Sequence, residues 1–141
     1  MTTKRETIVA RILTVVTPTT GISNRAYRDR VTALSRTEMP SILVEAVSDG
    51  AEQTSSINSL DWTLTVKCSV MVQSSNPVTA ADGIVENMHS RLMADVTLNG
   101  NAVDITPSGV TVEVIDADQA IGVIGCDYIV RYRTLTADLT Q

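Results

Sequence analysis

The stretch Leu60-Asp-Trp-Thr-Leu-Thr-Val-Lys-Cys-Ser-Val-Met-Val-Gln73 decides the fold. Apolar side chains occupy every second position from Leu60 to Val72, and the positions between them carry polar side chains or, once, Met71. A period of two residues is that of a β-strand, whose side chains point alternately to two faces. The stretch therefore predicts a long strand with one buried face and one open face.

A second long strand is predicted over 122–134, with polar residues on its open face. Its apolar face carries Ile124, Cys126, Tyr128, Val130 and Tyr132, and its open face carries Asp127, Arg131 and Arg133. Shorter strands are predicted over 41–47 and 110–115, and a weak one over 102–105. The two long strands exceed the usual length of about five or six residues. Because an overhanging strand must be blunted or paired with another chain, they indicate an oligomer built by sheet and loop contacts.

Helical periodicity occurs in two segments, Thr3–Val16 and 78–94. The apolar stripe of the first is Ile8, Val9, Ile12, Leu13 and Val16, and that of the second is Ala81, Ile84, Val85, Met88 and Leu92. Thr3 and Glu6 have the spacing of a capping box, and Pro77 suits a first helical turn. Gly83 is unfavourable in a helix by about 1 kcal/mol relative to Ala, so we expect it to allow close packing.

The predicted order is α-β-β-α-β-β. Strands joined by hairpins predict a mixed, mostly antiparallel sheet, with both helices packed on one face in an α+β fold. The 141 residues, of which 43% are hydrophobic, have the size and composition of a single domain covering 1–141.

The charge balance argues against a general nucleic-acid binder. Sixteen acidic residues outnumber eleven basic ones, giving a net charge of −5, whereas phosphate binding requires cations. An acidic surface does suit a conduit through which DNA slides without sticking. No apolar run is long enough to span a membrane, and Arg11 interrupts the N-terminal apolar segment, so no signal peptide is expected.

The chemistry-bearing residues are few. One histidine and the two separated cysteines, Cys68 and Cys126, are too few ligands for a zinc site. The cysteines are expected to be buried free thiols, although a disulfide is possible if their strands are neighbours. His89 is expected to be a surface or half-buried helical residue. Asp116 and Asp118 are expected to be solvated turn residues rather than an acid–base pair. No enzyme, cofactor or metal is predicted.

Two polar segments remain. Residues 48–59 lack periodicity and predict a long loop or a mobile hairpin tip, a kind of segment that often carries function. The basic run containing Arg25, Arg28 and Arg30 is short and interrupted by Asp29. It predicts ion pairs, either within the fold or across a subunit interface, more than nucleic-acid contacts.

The sequence resembles the tail terminator (tail completion) proteins of long-tailed bacteriophages across nearly its whole length. The resemblance is carried by the order of several segments: Arg5-Glu6-Thr7-Ile8, residues 27–31 leading into 38–44, Leu64-Thr65-Val66, residues 89–98, and residues 128–134. It implies a structural virion protein, assembled in the host cytoplasm, that forms a hexameric ring in the tail or neck. Such a ring caps the tail tube, stops its polymerisation and joins the head connector or stopper, while DNA passes through the lumen. No membrane is involved.

Within that resemblance, three groups of residues are candidates for contacts. The 49–59 segment would reach the tube protein through Asp49, Glu52, Gln53, Ser56 and Asn58. Asp116 and Asp118 would line the lumen, and Arg25, Arg28 and Arg30 would lie between subunits. Three alternatives stay open at this point: another neck or minor tail protein such as a head–tail stopper, a dimeric cytosolic ligand-binding α+β domain, and a hydrolase using His89.

Overall fold

The fold combines two helices with one five-stranded sheet. The computed structural model describes residues 2–28, 39–53, 58–116 and 119–140. Within these ranges the elements are α1 (Lys4–Val16), β1 (Ala26–Arg28), β2 (Ser41–Gln53), β3 (Ser59–Gln73), α2 (Pro77–Met93), β4 (Asp104–Ile115) and β5 (Ile121–Leu135). The predicted α+β class is confirmed, and the predicted element order gains one short strand, β1.

The strand order in the sheet is β1-β2-β3-β5-β4. β1 is parallel to β2, and every other pair is antiparallel, as predicted. β3 lies in the centre and pairs along its whole 15-residue length with β5. At about 3.4 Å per residue such a strand is about 50 Å long.

The core lies between the helices and one face of the sheet. α1 packs on β1 and β2, α2 packs on β3, β5 and part of β4, and the two helices contact each other. The alternating apolar residues of β3 and β5 point into this layer, and Leu64, Val66, Cys68 and Val130 are fully buried. Both predicted apolar faces are therefore confirmed.

The helix boundaries follow their capping residues. Thr3 is the N-cap of α1, and its Oγ1 accepts a hydrogen bond from the Glu6 backbone N–H at 3.2 Å. Asn76 precedes α2, which begins at Pro77. The predicted stripes are buried, except that Leu13 and Val85 are only partly covered.

Of the two alternatives predicted for 48–59, a long loop or a hairpin tip, the structure fits the hairpin, but the first half of the segment is strand rather than tip. β2 continues to Gln53, which lies opposite Leu60 on β3, so 48–53 forms one arm of a hairpin. Almost every side chain from Glu45 onward is exposed. A strand that is exposed on both faces does not need alternating apolar and polar side chains. The sequence therefore shows no period of two in this part of β2. Residues 54–57 lie outside the described residues.

Two other strand predictions needed correction. The separate segments 102–105 and 110–115 belong to one strand, β4, which continues through an irregularity between Pro107 and Gly109. A proline is tolerated there because β4 is an edge strand and the ladder is locally disrupted. β1 was not predicted because three residues are too few to show a period.

The two cysteines meet the geometric condition for a disulfide but are free. Cys68 lies directly opposite Cys126 on the neighbouring strands β3 and β5, and both are buried thiols, as expected. Burial raises the pKa of Cys68 to about 12 and also raises the pKa of Cys126. Both groups therefore stay protonated at neutral pH.

The expectation that Gly83 allows close packing is wrong, because a Cβ added there would meet nothing within 4 Å. We predict that Gly83→Ala raises the free energy of unfolding by about 0.5–1 kcal/mol, since Ala loses less backbone entropy in a helix. Denaturant titration measures the change.

Gly122→Ala is the control variant, for which we expect a lower free energy of unfolding. A Cβ on Gly122 would lie 2.7 Å from Pro77 Cβ and 3.2 Å from its carbonyl carbon, so this variant should be destabilised. A Gly83→Ala protein no more stable than the wild type would contradict the packing described here.

Candidate assembly surface

An apolar stripe on β4 lies outside the cover of the helices. We call Val110, Val112 and Val114 the valine stripe. Their partners on β5 are Cys126, Ile124 and Gly122, respectively. Because paired residues point to the same face, the stripe is on the helix side of the sheet. Its members are nevertheless 62%, 58% and 55% exposed, since neither helix extends over them. The core face of the sheet therefore continues, uncovered, to its β4 edge.

A cleft separates the valine stripe from α2. Its volume is about 390 Å³, and its wall combines α2, β5 and β4 residues. The lining residues include Val85, His89, Pro107, Val110, Cys126 and Tyr128. His89 Nδ1 is hydrogen-bonded to the Tyr128 hydroxyl at 3.0 Å, and the two rings stack. His89 is half-buried, as expected for a helical residue without a catalytic motif.

Among the described residues, both outer sides of the sheet have stretches without a partner strand. In the described part of the chain, no strand pairs with the outer edge of β4. At the other side, β1 pairs with Ile42, Leu43 and Val44, and no other described residue pairs with that side of β2; residues 29–38, which follow β1, lie outside the described ranges. Open edges present unpaired N–H and C=O groups to any strand that approaches.

The face opposite the helices is polar and bears cross-strand ion pairs. Arg133 Nε lies 2.6 Å from Asp61 Oδ1, and Arg131 pairs with Asp104. Lys67 on β3 lies between Glu45 on β2 and Asp127 on β5 in the register. Most charges of this open face therefore have an opposite charge on the next strand.

The side chain of Asp49 is buried and does not project into solvent. Its Oδ2 accepts a hydrogen bond from the Tyr132 hydroxyl, Arg5 Nη1 lies 3.9 Å away, and the side chain is 8% exposed. Tyr132 stacks on Trp62, whose Nε1 donates to Thr134 Oγ1 at 2.8 Å. Burial is the main cause that raises the pKa of Asp49.

The other predicted tube-contact residues are dispersed. Glu52 and Gln53 are exposed on the β2 arm, on opposite faces of the strand. Asn58 is exposed, and its carbonyl accepts a hydrogen bond from the Thr136 N–H at 2.8 Å. Ser56 lies outside the described residues. A contact of these residues with a tube protein stays a prediction.

The basic run makes contacts within the chain. Arg28 forms a bidentate pair with Glu6, with both N–O distances 2.5 Å, and this hydrogen bonding lowers the pKa of Glu6. Arg25 Nε donates to the Pro40 carbonyl at 2.9 Å. Arg30 lies outside the described residues. A role of these arginines between subunits stays a prediction.

The acidic turn after β4 is only partly described. Asp116 is exposed at the end of the strand, while Asp118 lies outside the described residues. In the described ranges no cluster of His, Cys, Asp and Glu could hold a metal ion. No described helix is both long and apolar enough to cross a membrane.

Comparisons with known proteins identify a shared fold. The chain matches no protein-family model and no curated protein. Among solved structures, a chain in the virion of a native gene transfer agent particle matches with a TM-score of 0.64. The match covers 89% of this chain and 94% of that one, at 13% sequence identity. At that identity the likeness is one of fold.

Asp49→Asn is predicted to raise the melting temperature at pH 7 and to leave it unchanged below pH 3. The raised pKa means that the native state holds this proton to higher pH than the unfolded chain does. Ionisation therefore lowers stability as the pH rises. Asparagine keeps an acceptor for the Tyr132 hydroxyl without the buried charge. Thermal unfolding across pH measures the difference.

Asp104→Asn is the control variant, for which we expect a lower melting temperature at neutral pH. The Arg131 hydrogen bond lowers the pKa of Asp104, so this variant should lose stability at neutral pH and match the wild type in acid. If Asp49→Asn is less stable than the wild type at pH 7, the buried carboxylate stabilises the fold and our assignment is incorrect.

Proposed function

We propose that this chain is a structural virion protein that assembles into a ring, caps the tail tube of a long-tailed bacteriophage and joins it to the head connector. The observation that carries the proposal is the valine stripe, an exposed apolar surface on an edge strand whose outer side no described strand covers. The fold it shares with a chain of a gene transfer agent virion supports the virion setting. The resemblance to tail terminators supports the finer assignment to the tail end.

The valine stripe favours permanent association. Contiguous exposed apolar surface marks protein contact sites, and a long apolar edge strand left open is an aggregation hazard unless a specific partner covers it. The valines extend the same face that buries the core, so a partner would continue the packing already present. A self-assembling structural protein meets both requirements.

The most reactive side chains are poorly arranged for catalysis. The Nδ1 atom of His89, the one histidine in the sequence, is engaged by Tyr128. Cys126 borders the cleft, but its raised pKa disfavours the thiolate that a nucleophile requires. These features support a structural role rather than that of a hydrolase.

The acidic balance supports a DNA conduit. With a net charge of −5, a ring of such chains would repel a polyanion rather than bind it. In this proposal the exposed Asp116 and its neighbour Asp118 lie toward the lumen.

Light scattering over a concentration series should detect a species near six protomers, and negative-stain images of the same samples should show a ring with a central hole. The reason is that an open edge and an apolar stripe on one side of the chain favour closed assembly. A monomer at every concentration would contradict the ring.

A stable dimer without a hole would favour the second candidate, a ligand-binding α+β domain. The observation that favours it is the cleft of about 390 Å³ beside His89, which has the size of a small-molecule site.

The β2–β3 hairpin is proposed to meet the tube. We predict that Glu52→Ala combined with Gln53→Ala weakens binding to isolated tail tubes about tenfold, equivalent to about 1.4 kcal/mol, because both side chains are exposed and make no core contact. Cosedimentation with tubes measures the binding. Thr79→Ala on the exposed side of α2 is the control and should bind normally. Unchanged binding of the double variant would remove the hairpin from the tube contact.

A further inference from the structure

We propose that the carboxyl group of Asp49 makes the β2–β3 hairpin responsive to pH. The protonated carboxyl group holds the hairpin arm, residues 48–53, against α1 and β5, and ionisation lets the arm separate from them. This behaviour belongs to the single chain and does not require the proposed ring.

Asp49 attaches the hairpin arm to the elements on either side of it. From Glu45 to Gln53, every residue except Asp49 is exposed. The Oδ2 atom of Asp49 accepts a hydrogen bond from the Tyr132 hydroxyl of β5, and Nη1 of Arg5 on α1 lies 3.9 Å from the same oxygen. The arm is otherwise held by its backbone ladder with β3. Its position relative to α1 therefore depends on this one carboxyl group.

The ladder between β2 and β3 is interrupted just before the arm. The register shifts between Ala46 and Ser48, so Val47 has no partner residue on β3. A β-bulge bends its strand and locally disrupts the ladder, and an exposed segment with few buried contacts opens more easily than the core. The arm can therefore open at this point while Ile42 and Val44, which are fully buried, keep the first part of β2 in place.

The surroundings of the carboxyl group favour its neutral form. The side chain is 8% exposed, and no described group donates a hydrogen bond to its buried Oδ1 atom. A carboxylate needs donors at both oxygens, so burying it with a single hydrogen bond is less favourable than burying the neutral acid. Burial is accordingly the largest cause that raises the pKa of Asp49. The guanidinium group of Arg5 opposes this effect, but it is 52% exposed, so solvent weakens its attraction.

Two ionisable groups of the described chain face this carboxyl group. Arg5 comes from α1, and Tyr132 comes from β5. The pKa of Tyr132 is raised, mainly by burial, so its hydroxyl group remains a hydrogen-bond donor at neutral pH. The other neighbours are uncharged, among them Trp62 of β3 and Leu139 of the C-terminal segment. A pH transition at this place would therefore report Asp49.

Two cavities lie beside the carboxyl group, and both are lined by Arg5 and Asp49. One has a volume of about 20 Å³ and is also lined by Trp62 and Tyr132, and the other has a volume of about 250 Å³ and is also lined by Val47. The smaller cavity has room for about one water molecule, which is too little to hydrate a carboxylate. Movement of the arm away from α1 opens this space to solvent. Ionisation therefore favours the open arm.

The pH dependence of the arm has a definite sign. The closed arm holds the proton of Asp49 more tightly than the open arm does. The arm is therefore closed below the ordinary pKa of an aspartate, about 3.9, and opens as the pH rises through the raised pKa of the closed form. Because Arg5 lowers the pKa of Asp49, removing its charge should move the opening to higher pH.

Trp62, the one tryptophan in the sequence, reports on the arm directly. It lies opposite Ala51 of the arm, and its ring stacks on Tyr132. Opening of the arm removes Ala51 and exposes the indole. Quenching of Trp62 fluorescence by acrylamide, which is uncharged at every pH, should therefore increase as the pH is raised from acid to neutral. Circular dichroism should stay constant over the same range, because the rest of the fold is retained.

Three variants test the assignment to Asp49. Asp49→Asn should abolish the increase and show weak quenching at every pH, and Arg5→Gln should move its midpoint to higher pH. Asp61→Asn is the matched control, since Asp61 adjoins Trp62 in the sequence but pairs with Arg133 on the open face. This control should keep the wild-type midpoint.

Several results would overturn the proposal. They are quenching of the wild-type protein that does not change with pH, an increase that persists in Asp49→Asn, and a midpoint that moves in Asp61→Asn. If Asp49→Asn fails to fold, Arg5→Gln decides, and a midpoint that stays or moves to lower pH would contradict the proposal.

Hydrogen exchange measures where the chain opens. After correction for the intrinsic pH dependence of exchange, amides of 48–53 should lose protection as the pH rises, while those of 42–44 stay protected. Equal loss of protection in both segments would show that β2 unfolds as a whole, and it would overturn the separate opening of the arm.

Discussion

The antiparallel pairing of β3 with β5 is the constraint on which the rest of the structure depends. It runs from Ser59 opposite Leu135 to Gln73 opposite Ile121 without a shift. Because side chains alternate with a period of two, this register places the apolar side of both strands on one face. A slip of one residue would turn Tyr128 and Val130 toward solvent and remove the apolar side chains of β5 from the face that α2 covers. The two helices, the buried thiols and the polar open face all follow from this one ladder.

The same ladder explains why part of the sheet has no helix over it. β5 carries β4 on its outer side, and β3 carries β2, so the sheet is wider than two helices can cover. The cover is centred on β2, β3 and β5, and the valine stripe lies beyond it. The core therefore lies under the helices, and the exposed apolar surface lies at the β4 edge.

Strong periodicity explains what the sequence alone could predict. The boundaries of β3, β5 and both helices are close to those expected because each has a buried face to impose a period. β2 has no buried face beyond Val44, and β1 is too short to show a period. The alternation Val110-Thr-Val-Glu-Val-Ile115 predicts a strand. The exposure of its valines cannot be predicted in the same way, because it depends on which strands α2 covers in the folded chain. Likewise, the bond between Asp49 and Tyr132 joins residues 83 positions apart, and no local pattern indicates it.

The open face of the sheet has an electrostatic consequence of its own. Arg133 with Asp61 and Arg131 with Asp104 are dipoles rather than isolated charges. The potential of paired charges decays faster with distance than that of single ones, and salt screens the remainder within about 8–10 Å. At longer range the electrostatic potential of these two ion pairs is therefore small. The ion pairs of this face therefore add little to the force that the net negative charge of the chain exerts on a distant charged molecule.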